Sequence, residues 1–143
     1  MTNYINSSSS GVYLFLGVLL FCLGTLLGIP HGLSKRRGDS KRVELWRIAH
    51  LSTCIGGLSL ICLALALERL FGPDATYSMV AFSAAAYLFC FACTLSGCLN
   101  MGWNDDRSHG GVAVIYSAQI AASGLSLVGV GAITVTVLTR IAS

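Results

Sequence analysis

Four long uncharged stretches dominate the sequence, and short polar segments separate them. They cover about residues 11–29, 48–67, 78–102 and 111–138. Each has about 19 or more residues, and an α-helix of that length rises about 1.5 Å per residue and crosses the ~30 Å hydrocarbon core of a bilayer. The strict alternation over about ten residues that a membrane β-strand needs does not occur. The pattern predicts an all-α integral membrane protein.

The short connections between these stretches predict an up-down four-helix bundle, because short loops make neighbouring helices antiparallel. We expect one membrane domain over residues 1–143, with the first span ending at Pro30 and "PHGLSKRRGDSKRVE" forming the first loop. Composition agrees, since 10% of the residues are charged, against about 25% in soluble domains. The first span follows a polar segment without basic residues, so we expect it to be retained rather than cleaved as a signal peptide.

Basic residues concentrate in the first loop and at its edge. Six of the nine lie there: Lys35, Arg36, Arg37, Lys41, Arg42 and Arg47. The positive-inside rule therefore places the first and third loops in the cytoplasm and both termini outside. A net charge of +3 concentrated in this way favours contact with anionic lipid over binding of nucleic acid.

Polar groups at membrane depth are rare and often functional. They include His50 in the second span and Gln119 and Ser123 in the fourth. The other polar residues of interest lie at the end of the third span, in the following loop and in the first turns of the fourth span: Asn100, Asn104, Asp105, Asp106, Arg107, His109 and Tyr116. Antiparallel packing is expected to bring this set and His50 to one level, as a single candidate site open to the cytoplasm.

Buried cysteines in the spans include the C-x-x-C pair Cys90 and Cys93. A metal or redox site needs a second pair of ligands or a thioredoxin-like context. Neither is visible in the sequence, so packing is the favoured role of these thiols.

His50 is the strongest candidate for chemistry. Its helical face carries Trp46, Arg47, Thr53, Cys54 and Gly57, at offsets of three, four and seven residues. A neutral imidazole nitrogen is a ligand for iron. Gly57 is expected to leave room for a flat ring, and Arg47 to lie near carboxylates at the water boundary, which suits a haem. The alternative is that His50 hydrogen-bonds across helices, the commoner role for a lone histidine at this depth.

Two patches resemble the styrene oxide isomerase family, which consists of membrane enzymes with four spans and a similar length. The first is "W-x-x-A-H" at Trp46, Ala49 and His50, followed by Gly57. The second is Asn100-x-Gly102 with an aromatic residue, Trp103, after it. This resemblance implies haem b with His50 as axial ligand, and an assembly of three copies with haem near the subunit boundaries. It also implies rearrangement of an apolar epoxide to a carbonyl compound without net redox change, with ferric iron as a Lewis acid.

Two departures from the family's pattern imply a different substrate. The position of the family's pocket asparagine is Gly56, and that of its pocket tyrosine is Asn104. Both groups orient the epoxide in the family. Tyr116, Gln119 or Asn104 is expected to take over this role, with Asn100 nearby, and a larger substrate is expected to use the space at Gly56.

Two other classes of function remain open. A membrane haem electron carrier commonly has two axial ligands, for which His31 or His109 would be the second. A non-enzymatic membrane subunit or small transporter needs no cofactor, although the spans contain no deep carboxylate for proton-coupled transport. Asp105 and Asp106 are expected to be a solvated pair that balances Arg107.

Overall fold

The computed structural model describes residues 7–71, 76–102, 105–106 and 108–142, with side chains over 11–66, 77–102, 105–106 and 108–139. Within these ranges the chain forms four helices: α1 (Ser7–Arg37), α2 (Ser40–Phe71), α3 (Thr76–Leu99) and α4 (Gly110–Ala142). Each is long and apolar enough to cross a membrane. The predicted all-α membrane architecture is confirmed.

The first loop is much shorter than predicted, because α1 continues through Pro30 to Arg37. Proline removes one backbone donor, which is tolerated in helices of a membrane bundle. Next to Pro30, the His31 ring donates from Nδ1 to the Val43 carbonyl of α2 at 3.1 Å and connects this part of α1 to α2. With 31 residues, α1 is about 46 Å long and exceeds the ~30 Å hydrocarbon core. The basic residues therefore lie on helix ends and not in a flexible loop.

Gly38 and Asp39 make the whole turn between α1 and α2. Gly38 has a φ of 73°, the left-handed conformation that glycine adopts at the end of a helix. Asp39 caps α2, since its Oδ1 accepts the Arg42 N–H at 3.1 Å and its carbonyl accepts the Val43 N–H at 2.9 Å. The two residues produce a tight helical hairpin.

Glycines bring α1 and α2 into near backbone contact. A Cβ added to Gly57 would lie 2.5 Å from the Phe21 nitrogen, and one added to Gly24 would lie 2.6 Å from the Cys54 nitrogen. Real side chains do not fit at such distances. Small residues are the usual means by which membrane helices pack this closely.

The other helices leave a groove on one side of the bundle. Trp46 of α2 covers Gly97 of α3, where an added Cβ would lie 2.7 Å from the indole. Phe82 of α3 covers Gly129 of α4 in the same way, at 2.9 Å. Among the described residues, α4 makes extensive contacts with α3 and not with α1 or α2. The surface of α3 between α2 and α4 is therefore open.

The end of α3 approaches the hairpin turn. Asn100 has a φ of 55° and the Met101 N–H donates to the Ser96 carbonyl at 3.1 Å, which is a Schellman cap. In the loop that follows, Asp105 accepts from Lys41 Nζ at 2.7 Å. We refer to this end of the bundle, with Gly38, Gly102 and the start of α4, as the basic end.

Candidate functional site

His50 lies between α1 and α2, half-buried, with its ring against α1. Its Nδ1 is 2.7 Å from the Gly24 carbonyl oxygen. A carbonyl oxygen only accepts hydrogen bonds, so Nδ1 carries the proton and donates it. In the neutral ring, Nε2 then keeps its lone pair. The hydrogen bond across helices, which the sequence offered as the alternative to iron ligation, is present, and it leaves Nε2 as the nitrogen without a proton.

Two glycines of α1 form the surface on which this imidazole lies. Gly24 supplies the carbonyl, and a Cβ added to Gly28 would lie 3.5 Å from His50 Cε1 and Nδ1 and 4.0 Å from Nε2. Cys54, one turn further along α2, places its sulfur 3.9 Å from Nδ1. Gly24 and Gly28 thus make a shallow cradle that fits the ring edge.

The other residues of the predicted cofactor site have different surroundings. The backbone of α1 fills the space beside Gly57, so the expected room for a flat ring at that position is not there. Trp46 is 8% exposed and packs between α2 and α3 with Ala49 and Cys93. Arg47 is exposed and pairs with Glu44 at 2.6 Å, so it must exchange partners before it contacts a bound carboxylate.

The groove between α2 and α4 consists of two connected cavities. The near lobe, toward the basic end, has a volume of about 690 Å³ and includes Tyr116, Gln119 and Ser123. The far lobe has a volume of about 680 Å³ and includes Gly56. The lobes share three residues: Phe89, Ser123 and Leu127. The predicted grouping of Tyr116, Gln119 and Ser123 is therefore present, along a continuous groove.

His50 does not share this groove within one chain. Ile48, Ser52 and Gly56 of α2 line the groove, whereas His50 faces α1. Two residues turn a helix by about 200°, so Ser52 lies on nearly the opposite side of α2 from His50. The predicted single site that joins His50 to Tyr116 and Gln119 is not formed by one copy of the chain. The spacing of residues in the sequence shows which side chains share a face of α2, but it does not show which helix packs against each face.

The sequence prediction missed a group of polar residues where the two lobes adjoin. Cys93 of α3, which is 2% exposed, and Gln119 of α4 line the near lobe, and Ser52 of α2 lines the far lobe. These residues come from three helices. A signal for it exists in the sequence, because Ser52, Gly56 and Ser59 form a stripe of small residues at offsets of four and seven on one face of α2.

Asn100 has a structural role that the sequence did not reveal, as the left-handed residue of the α3 cap. Its Oδ1 is buried and has no hydrogen-bond partner among the described residues. It does not line either lobe of the groove. Asn104, Trp103 and Arg107 lie outside the described residues.

The acidic pair of the third loop has local partners. Asp105 accepts from Lys41 and from the Gly102 N–H, and these two contacts, the lysine first, lower the pKa of its carboxyl group. The pKa of Asp106 is lowered by the Ser108 backbone N–H and then by the Ser108 hydroxyl. Neither carboxylate lines the groove, although Asp105 contacts Gly102 at the end of the near lobe.

The remaining histidines do not complete a two-ligand site with His50. The carbonyl of His109 accepts the N–H groups of Val112 and Ala113 at the start of α4, and its side chain is exposed. The His31 ring lies about two helical turns from the level of His50 along the hairpin. Among the described residues, no group of three or more His, Cys, Asp or Glu side chains is placed to hold a metal ion.

These observations define a four-helix membrane protein with a half-buried imidazole on one side of α2 and an apolar groove on the other. A family model described as styrene oxide isomerase matches residues 9–143, which is nearly the whole chain. The chain therefore belongs to the styrene oxide isomerase family, as the two sequence patches indicated. No curated protein and no solved structure gives a match.

Proposed function

We propose that the protein is a haem-b-dependent membrane isomerase that converts an apolar epoxide to a carbonyl compound. Family membership over residues 9–143 supports the reaction class. The single observation that supports a haem cofactor is the hydrogen bond from His50 Nδ1 to the Gly24 carbonyl. Metal-binding histidines commonly donate their second ring nitrogen to such an acceptor, which fixes the tautomer and the ring orientation.

The residues around His50 fit a haem better than a bare metal ion. A metal ion without its own ligands needs several protein donors, and the described residues offer no such group. Haem brings four ring nitrogens and is commonly held by one proximal histidine. His50 would bind the iron through Nε2, and Arg47, one turn nearer the basic end, would contact the carboxylates. Bound haem would supply a Lewis acid for the epoxide oxygen.

The protein's own residues would orient the substrate and exclude water. The rearrangement moves a hydride within the substrate and loses no atom, so it needs no protein base to remove a proton permanently. Water is the competing nucleophile, because it would convert an opened epoxide to a diol. The apolar walls of the groove, including Phe89, Ile120 and Leu127, exclude water from this step. Tyr116 and Gln119 offer donors for the substrate oxygen, as would Asn104.

His50 and the groove lie on opposite sides of α2, which supports a site built from more than one copy of the chain. We propose a homotrimer, as the family resemblance implies, in which the His50 face of one subunit meets the groove of the next. A cyclic assembly of this kind uses two different surfaces at each interface. His50 would then hold the cofactor while the neighbouring groove holds the substrate.

The proposed orientation places the basic end in the cytoplasm and both termini outside. Six of the nine basic residues lie at the basic end, and such residues are retained on the cytoplasmic side. Cysteine introduced at Gly38 should react with a membrane-impermeant maleimide only after the cells are opened. Labelling in intact cells would contradict this orientation and place the basic end outside.

An absorption spectrum of the purified protein, oxidised and reduced, tests the cofactor. We expect a Soret band in the wild type that is lost in His50→Ala and kept in His31→Ala. The second variant is a matched control, because His31 also donates from Nδ1 to a carbonyl across the same helix pair. A wild type without a Soret band, or a band unchanged in His50→Ala, would contradict the proposal. A low-spin spectrum that is lost in His109→Ala would instead indicate an electron carrier. Turnover of epoxides to carbonyl compounds is measured separately.

A further inference from the structure

The groove is long and uncharged, and its larger polar side chains, Tyr116 and Gln119, lie in the near lobe. Along α4 it extends from Tyr116 to Val130, and 14 residues of helix span about 21 Å. None of the described residues that line either lobe is charged. A charged ligand would have no counter-ion there, so the groove fits a neutral molecule.

The near lobe is lined by Gln119 of α4 and Cys93 of α3, and Ser52 of α2 lines the far lobe. The Ser52 hydroxyl donates to the Ile48 carbonyl at 2.6 Å. The Gln119 amide has two N–H donors, so it can donate to a neutral oxygen of a ligand.

The far lobe is lined mainly by apolar side chains, together with four serines: Ser52, Ser59, Ser123 and Ser126. Small residues from three helices leave space in it, among them Gly56, Ala85 and Ala122. A Cβ added to Gly56 would be 3.5 Å from Leu20 and 3.7 Å from Ala86, which are ordinary contacts, so Gly56 is not required for close packing of helices. Its absent side chain instead adds width to the far lobe.

We propose that this groove binds an extended, uncharged apolar molecule with one oxygen function. The oxygen lies at Gln119 beside Cys93 in the near lobe, and the apolar chain occupies the far lobe past Phe89 and Leu127. The proposal specifies a class of substrate, and calling this ligand a substrate rests on the proposed function. The binding itself is independent of turnover. A combined volume well above 1,000 Å³ exceeds what a single aromatic ring needs, since pockets for drug-sized ligands measure about 300–1,000 Å³.

Binding of unreactive cyclic ethers to the protein in lipid nanodiscs tests this inference. The probes are a radiolabelled long-chain alkyl tetrahydrofuran, a phenyl tetrahydrofuran, and the alkyl cyclopentane that matches the long ether but lacks oxygen. Ser59→Leu adds bulk to the far lobe, and Cys62→Leu adds the same side chain at an exposed position of α2 outside the groove. Gln119→Leu removes the amide donor and keeps an apolar side chain of similar length.

We expect Ser59→Leu to weaken binding of the long ether about tenfold or more, because the leucine side chain takes space in the far lobe that the chain of the ether would fill. Ser59→Leu should bind the phenyl ether with wild-type affinity, and Cys62→Leu should bind both ethers with wild-type affinity. Gln119→Leu should weaken both ethers roughly three- to tenfold, as expected for one hydrogen bond in a membrane, and leave the hydrocarbon unaffected. An unchanged affinity of Ser59→Leu for the long ether, or equal wild-type affinities for ether and hydrocarbon, would overturn the inference.

A measurement on the wild type alone covers the case in which a variant does not fold. Alkylation of each cysteine by N-ethylmaleimide is followed by peptide mass spectrometry. The long ether should slow alkylation of Cys93, which lines the near lobe, and leave exposed Cys22 unchanged. Equal rates at Cys93 with and without the ether would overturn the inference. A protein that lacks a Soret band but gives these binding results would disprove the proposed function alone.

Discussion

Gly56 and Gly57 are adjacent in sequence but have different surroundings. At Gly57 an added methyl would lie 2.5 Å from the Phe21 nitrogen and 2.8 Å from the Gly17 oxygen, both backbone atoms that cannot rotate away. At Gly56 the nearest atoms are side-chain carbons at 3.5 and 3.7 Å. The same substitution therefore acts on helix packing at one position and on groove width at the other.

We expect Gly57→Ala to lower the free energy of unfolding by about 1–3 kcal/mol, because the α1 and α2 backbones must separate. Gly56→Ala should leave it unchanged or raise it by about 0.5–1 kcal/mol, since alanine favours a helix. Reversible unfolding in mixed micelles measures both values. Equal effects of the two substitutions would contradict the close approach of α1 at Gly57.

The residues of the candidate site could be predicted from the sequence only in part. Helical periodicity correctly placed Tyr116, Gln119 and Ser123 together, because they belong to one face of one helix. It could not show that His50 faces α1, since that depends on which helix packs against each face of α2. Cys93 was assigned to packing because the sequence shows no second pair of ligands for Cys90 and Cys93, and it does pack in the buried cluster with Trp46 and Ala49.

The helix ends depend on short local interactions that hydropathy does not report. Apolar runs located all four spans, but they stop where charges begin, whereas α1 continues to Arg37. The actual boundary is set by Gly38 in the left-handed conformation and by the Asp39 cap. Both residues are typical helix-end signals. The Pro30 signal was misleading, because contacts with α2 support the helix beyond it.

Asn100 provides a test of the cap at the end of α3. Its φ of 55° strains most residues with a side chain but not glycine. We expect Asn100→Ala to lower the unfolding free energy by about 1 kcal/mol, since alanine lacks the tolerance of asparagine for this conformation. Asn100→Gly should not lower it, and it also removes the buried Oδ1 that has no partner among the described residues.

Thermal unfolding of the two Asn100 variants, followed by circular dichroism, separates the backbone role from a side-chain role. Loss of stability in Asn100→Gly would mean that the side chain, and not its backbone conformation, stabilises the loop. If Asn100→Gly is stable but has no isomerase activity, the side chain acts in the reaction, as the sequence predicted.

At the scale of the whole molecule, the Lys41–Asp105 pair connects the hairpin to the α3–α4 loop. The folded state lowers the pKa of Asp105, so the pair contributes stability above the unfolded value of about 3.9. That contribution is lost as the pH falls through the lower, folded pKa. Both side chains are substantially exposed, at 51% and 33%, so the effect is small and is screened by salt.

We expect the thermal midpoint of the wild type to fall as the pH decreases below about 4, and part of that decrease to be absent in Asp105→Asn. Asp106→Asn is the matched control for the connection, because Asp106 bonds within its own loop to Ser108. Its effect on the midpoint should not change when Lys41 is replaced by Met, whereas the effect of Asp105→Asn should shrink to what the Gly102 N–H contact contributes. Additivity of Asp105→Asn and Lys41→Met would contradict the connection.

The opposite placement of His50 and the groove makes a prediction about mixed oligomers. His50→Ala removes the proposed iron ligand. Ser123→Trp fills a position shared by both lobes and loses only a hydrogen bond to its own helix. Each variant alone should be inactive. In a cyclic assembly with random mixing, an intact His50 face meets an intact groove at about one quarter of the interfaces, so co-expression should restore about one quarter of wild-type activity.

Ser117→Trp is the matched control for this experiment. Ser117 is exposed on α4, bonds only to the Val114 carbonyl of its own helix, and does not line either lobe. Ser117→Trp alone should be active, so the loss in Ser123→Trp reflects the groove and not a bulky residue on α4. A co-expressed pair of His50→Ala and Ser123→Trp without activity would mean that each chain completes its own site. In that case α1 and α2 must rearrange, because the present packing separates the two halves by the width of a helix.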